Sequence, residues 1–147
     1  MEFHQKIALA FVPAIIIDWL TSFLGVLAIF SVNTPLSWLV ALVLSGTALV
    51  VNFLTTQIFA ETGGHRELWL SLWFLCIAYD SYTTWVGLAN MAGGAGFFTI
   101  KTMNFLELIF NFSIEVDIAL IVASAILVIS PMLAYREWEK GAVRIPN

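Results

Sequence analysis

The chain has 147 residues, of which 61% are hydrophobic and 11% charged. Soluble domains average about 45–50% apolar and about 25% charged, so this balance excludes an ordinary soluble fold and suits about four membrane helices of ~20 residues each. The formal charge is −4, and the six Lys and Arg are scattered, so no basic patch for nucleic acid exists.

The opening residues, Met1 to Lys6 and then an apolar stretch to Phe30, superficially resemble a secretory signal. The apolar part is longer than a typical signal core and further apolar runs follow, so it reads as an uncleaved first helix over about 7–30. Pro13 lacks an N–H for the carbonyl of Leu9, which predicts a kink or a bound water there. Ser31 to Thr34 forms a tight turn, with Thr34 as N-cap and Pro35 at the first helical position of a second span over about 35–60. The polar loop from Glu61 to Arg66 leads to a third span, about 67–91, which stops at Gly93-Gly94-Ala95-Gly96.

The connection that follows is not a simple loop. Lys101, Asn104, Glu107 and Asn111 recur at helical spacing, whereas Phe98, Phe105, Phe110 and Phe112 lie among the apolar residues that fill the rest. An amphipathic segment over about 97–112 is expected at the outer interface, its phenylalanines meeting a second subunit or a partner. A fourth span, about 116–135, offers Ala119, Ala123 and Ser124 for packing and a bend near Pro131, and a charged tail from Arg136 follows it.

Basic residues orient these spans. With the N-terminus in the cytoplasm, Lys6, Arg66, Arg136, Lys140 and Arg144 lie inside and Lys101 alone lies outside. The positive-inside bias therefore predicts cytoplasmic N- and C-termini in a plasma or inner membrane. The expected fold is an all-α integral membrane protein, a single four-helix transmembrane domain over 1–147.

Two aspartates interrupt the apolar runs, and each opens the same short pattern. Asp18-Trp-Leu-Thr21-Ser-Phe-Leu-Gly25 and Asp80-Ser-Tyr-Thr83-Thr84-Trp-Val-Gly87 both read D-x-x-T-x-x-x-G. A carboxylate at the centre of a bilayer costs roughly 2.5–3.5 kcal/mol even on mild scales, so each is expected to face protein, water, an ion or a partner. The second span carries a neutral relative, Asn52-Phe-Leu-Thr55-Thr56, with Ser45, Ala41 and Ala48 on the same side. Helical rise places Asp18, Asn52 and Asp80 within roughly 6 Å of one another along the membrane normal. The candidate ion or proton site is therefore Asp18, Thr21, Asn52, Thr55, Thr56, Asp80, Thr83 and Thr84. Carboxylates with hydroxyl and amide oxygens suit a proton or a hard cation.

Ala78-Tyr79-Asp80 resembles the Tyr-Asp half of intramembrane aspartyl proteases. Their second half, Gly-x-Gly-Asp, is missing, because Ile15-Ile16-Ile17 precedes Asp18. Small multidrug exporters are similar in having four short spans and a carboxylate in the first. His4 and His65 read as solvated loop histidines, Cys76 has no partner for an intrachain disulfide, and no cofactor motif is present. The expected function is a cation- or proton-conducting channel or transporter subunit, not an enzyme, surrounded by lipid. Four helices offer little interior for three polar faces, which predicts a homo-oligomer. The alternative is a non-transporting accessory or scaffold subunit that binds heterologous membrane subunits.

Overall fold

A computed structural model describes residues 3–30, 34–93 and 114–142, and among them every regular element is helical. In chain order the helices are α1 (Phe3–Ala10), α2 (Val12–Phe30), α3 (Pro35–Phe53), α4 (Thr55–Ala60), α5 (Arg66–Ala92) and α6 (Ile114–Ala142). Three helical stretches are long and apolar enough to cross a membrane, Phe3–Phe30, Pro35–Phe53 and Glu115–Gly141. Their outward faces expose large apolar side chains such as Ile16, Ile17, Leu39, Val43 and Ile126, which is compatible with lipid as solvent.

The helix boundaries follow local chemistry. Pro13 breaks the first span two residues earlier, at Phe11, whose N–H reaches only to the Ala8 carbonyl at 3.2 Å. At α3 the Thr34 hydroxyl accepts from the Ser37 N–H at 3.2 Å, and the Ser37 hydroxyl accepts from the Thr34 N–H at 3.0 Å. This reciprocal capping box, with Pro35 behind it, fixes the helix start. The second span is not continuous to residue 60. It pauses at Leu54, where Thr55 Oγ1 reaches back to the Val51 carbonyl at 3.4 Å and competes with the backbone ladder.

The last helix runs well past the expected end at 135, to Ala142, so the charged tail begins as helix rather than following it. Pro131 sits inside this helix and leaves the Leu127 carbonyl without its usual donor. The Ser130 hydroxyl donates to that carbonyl at 2.6 Å and replaces the missing bond. Ser130→Ala is therefore expected to lower stability by about 1–2 kcal/mol, read as an earlier unfolding midpoint in detergent. Beyond Tyr135 the helix is tied to α1, because His4 is not a solvated loop histidine but bonds Glu137 through Nδ1 at 2.9 Å, and Lys140 pairs with the same carboxylate.

Contacts at the two ends set the helix directions. Ala28 of α2, Val86 and Ala89 of α5 and Leu120 of α6 cluster at one end. At the other, His4 meets Glu137, Phe53 packs on Tyr135, and Trp73 bonds Thr55. So α2 and α5 run one way, α3 and α6 the other, and the first and last described helices finish at the same end. A second apolar cluster of Phe23, Leu24, Val26, Leu27 and Ala41 fills the space between α2 and α3. The expected amphipathic segment over 97–112, with Phe98, Phe105, Phe110 and Phe112, lies outside the described residues.

Candidate intramembrane carboxylate site

The closest pairing in the molecule is α2 against α5, and the two D-x-x-T-x-x-x-G segments form its seam. A Cβ added to Gly25 would overlap the backbone carbonyl of Thr83, and one added to Gly87 would overlap the backbone carbonyl of Thr21. Thr21 with Gly25, and Thr83 with Gly87, are thus small residues four apart that let two helix backbones touch. At such an approach, glycine Cα–H groups face carbonyl oxygens, a weak but recurrent contact.

The glycine contacts are reciprocal, each glycine meeting the threonine of the other octet, so the seam has an approximate two-fold relation there. Thr84 Oγ1 donates to Asp18 Oδ1 at 3.2 Å. Thr21 donates to the carbonyls of Ile17 and Asp18, and Thr83 donates to those of Tyr79 and Asp80. On the seam itself Ser22 Oγ and Thr83 Oγ1 lie 2.8 Å apart. A threonine has a single proton, and Thr83 gives it to the carbonyls of its own helix, so Ser22 is the donor across the seam.

Asn52 of α3 breaks the symmetry. Its amide Nδ2 donates to Asp80 Oδ2 at 2.6 Å, and no residue of α3 takes the matching place beside Asp18 among the bonds described. With Nδ2 committed, Asn52 Oδ1 points elsewhere and is buried without a partner. Asp18, Thr21, Ser22, Asn52, Asp80, Thr83 and Thr84 are all at most 1% exposed. The α3 residues expected on the Asn52 side, Ala41, Ser45 and Ala48, are buried with it.

Two expected site residues stand apart from this core. Thr55 accepts a hydrogen bond from Trp73 Nε1 at 2.9 Å, and Thr56 Oγ1 is buried without a partner one position further on. Ser22, which the pattern D-x-x-T-x-x-x-G skips, is part of the site. The signal was present in the sequence, since Ser22 follows Asp18 by the same four residues as Thr84 follows Asp80. Trp73 was also missed, because an indole inside an apolar run gives no sign of its hydrogen-bond acceptor.

Among the described residues the ion pairs all involve Glu137, near the end where α1 and α6 meet, and none reaches Asp18 or Asp80. The site is therefore two buried acids among hydroxyl and amide donors, with no basic side chain paired to either among the described residues. Comparison with protein-family models, curated proteins and solved structures finds no match. The functional reading accordingly rests on this geometry.

Proposed function

We propose that the chain is a small integral membrane protein in which Asp18 and Asp80 form an exchange site for a proton or a hard cation, serving as a channel or transporter subunit. α5 is the fourth span in this reading. Its 27 residues measure roughly 40 Å, longer than the ~30 Å hydrocarbon core, and it shares the bundle with three helices apolar enough to cross. The positive-inside bias supports both termini on the cytoplasmic side.

One observation carries the proposal: two acids at 1% exposure with no basic partner. Burying an uncompensated carboxylate costs several kcal/mol, so the counter-charge comes from something small enough to enter. A proton shared across the seam, or a cation held by carboxylate and hydroxyl oxygens, supplies it.

A second reading keeps the same geometry. Thr84–Asp18 and Asn52–Asp80 each bridge two helices, as hydrogen bonds that serve only assembly would, within an accessory or scaffold subunit. The homo-oligomer loses the argument from size, because the three polar faces turn toward one another within a single chain. Oligomerisation and heterologous partners then depend on other surfaces.

Flux into proteoliposomes separates these readings. Across a panel of proton, Na⁺, K⁺ and Ca²⁺ gradients, the wild-type chain is expected to conduct one of them above protein-free vesicles. Asp18→Asn and Asp80→Asn, which retain shape and hydrogen bonding, are expected to lower that flux at least about tenfold, equivalent to ~1.4 kcal/mol in the barrier, while melting as the wild type does. Normal flux in both variants, or no flux from wild type in any gradient, overturns the proposal and leaves the assembly reading.

A further inference from the structure

Beside the carboxylate seam, with Asn52 between the two, a cavity of about 550 Å³ opens between α3–α4, α5 and α6. Its wall is formed by Phe59, Trp73, Ile77, Ile129 and Met132, and Arg136 stands at its edge. Phe59 packs edge-on against Trp73 with ring centroids 4.8 Å apart, which makes one side of the cavity a rigid aromatic corner. The volume is that of a site for a small organic molecule, for which about 300–1,000 Å³ is usual.

The chemistry of the lining selects the occupant. Most of the wall is apolar, with Asn52, Thr55 and Thr56 on the α3–α4 side as its uncharged polar groups, so an apolar chain is favoured over the rest. Arg136 directly follows the apolar run of α6, its side chain 55% exposed, and its Nε is 3.9 Å from Glu137, beyond hydrogen-bond reach. Lys140 and His4 bond Glu137 more closely, which leaves the guanidinium to a second anion. A planar fork of donors beside an apolar cavity matches an acidic head group on an acyl chain.

We propose that this cavity binds an acyl amphiphile with an anionic head group, its chain against Trp73, Ile77 and Met132 and its head on Arg136. The chemistry is shared by free fatty acids and by anionic phospholipids of the surrounding bilayer. The inference is independent of ion conduction and needs only that the helices lie in a membrane.

Tryptophan quenching by brominated chains tests it on the full-length protein in a non-ionic detergent. Dibrominated stearate, dibrominated phosphatidylglycerol and zwitterionic dibrominated phosphatidylcholine serve as probes. A saturable quenching phase is expected with stearate, phosphatidylglycerol or both, at least about tenfold tighter than with phosphatidylcholine, a difference of ~1.4 kcal/mol. Saturation by stearate alone assigns the site to free fatty acids, and saturation by phosphatidylglycerol assigns it to bilayer lipid. Trp73→Phe is expected to remove this phase, Arg136→Gln to weaken it about tenfold, and Ile77→Trp, which fills the cavity, to abolish competition by unlabelled stearate or phosphatidylglycerol. Equal midpoints for all three probes, or anionic midpoints unchanged in Arg136→Gln, overturn the proposal.

Discussion

Gly25→Leu, and equally Gly87→Leu, is expected to prevent the bundle from assembling. Even the first atom of a side chain at either position overlaps the carbonyl of a threonine on the facing helix. That obstacle is backbone, so no rotamer change relieves it. Overpacking that flexible neighbours can absorb costs about 1–3 kcal/mol. Here α2 and α5 must separate, and separation breaks Thr84–Asp18 and Ser22–Thr83 as well. Gly25→Ala tests the gradation: it is expected to fold with a clearly lowered melting temperature, and Gly25→Ala/Gly87→Ala to lose more than either single variant. Size-exclusion profiles and thermal unfolding in detergent check this. A Gly25→Leu variant that elutes and melts like the wild type would remove the seam from its central place.

Asp80→Leu is the second large effect, and its contrast with Asp80→Asn is informative. Asparagine keeps the volume and an acceptor oxygen, so Asn52 retains a partner. Leucine leaves the buried Asn52 amide with no acceptor on α5. A buried donor left unsatisfied costs about 1–3 kcal/mol. Asp80→Leu is therefore expected to lose about 1–3 kcal/mol, a sizeable fraction of the ~5–15 kcal/mol typical of a domain. Asn52→Leu in the same background should restore part of that loss, because it removes one orphaned donor. Chemical unfolding of the two single variants and the double variant measures the coupling. Additive losses, with no recovery in the double variant, would show that Asn52 does not depend on Asp80.

The sequence carried much of the site in readable form because helical periodicity and the cost of buried charge are local signals. Two aspartates in apolar runs had to turn inward, and the three-residue and seven-residue spacings put Thr21, Gly25, Thr83 and Gly87 beside them. What periodicity does not supply is pairing between elements. Ser22 shares the four-residue offset of Thr84, but its partner Thr83 shows only once α2 and α5 lie together. Thr56 is grouped with Asn52 by spacing, yet its hydroxyl has no partner and it lines the neighbouring cavity. The pause at Leu54 has neither proline nor glycine to announce it. The helical course of the tail depends on a long-range bond from His4 to Glu137, which no window of neighbouring residues contains.

The reciprocal glycine contacts have a mechanical side. Two helices that touch through backbone atoms at two places cannot slide or splay by trading one side-chain rotamer for another, so α2 and α5 form a single stiff strut. Compliance in the bundle is left to the interruptions at Phe11 and Leu54, both near the end where the chain enters and leaves. Bending of the described bundle is thus expected at its ends, around a stiff spine.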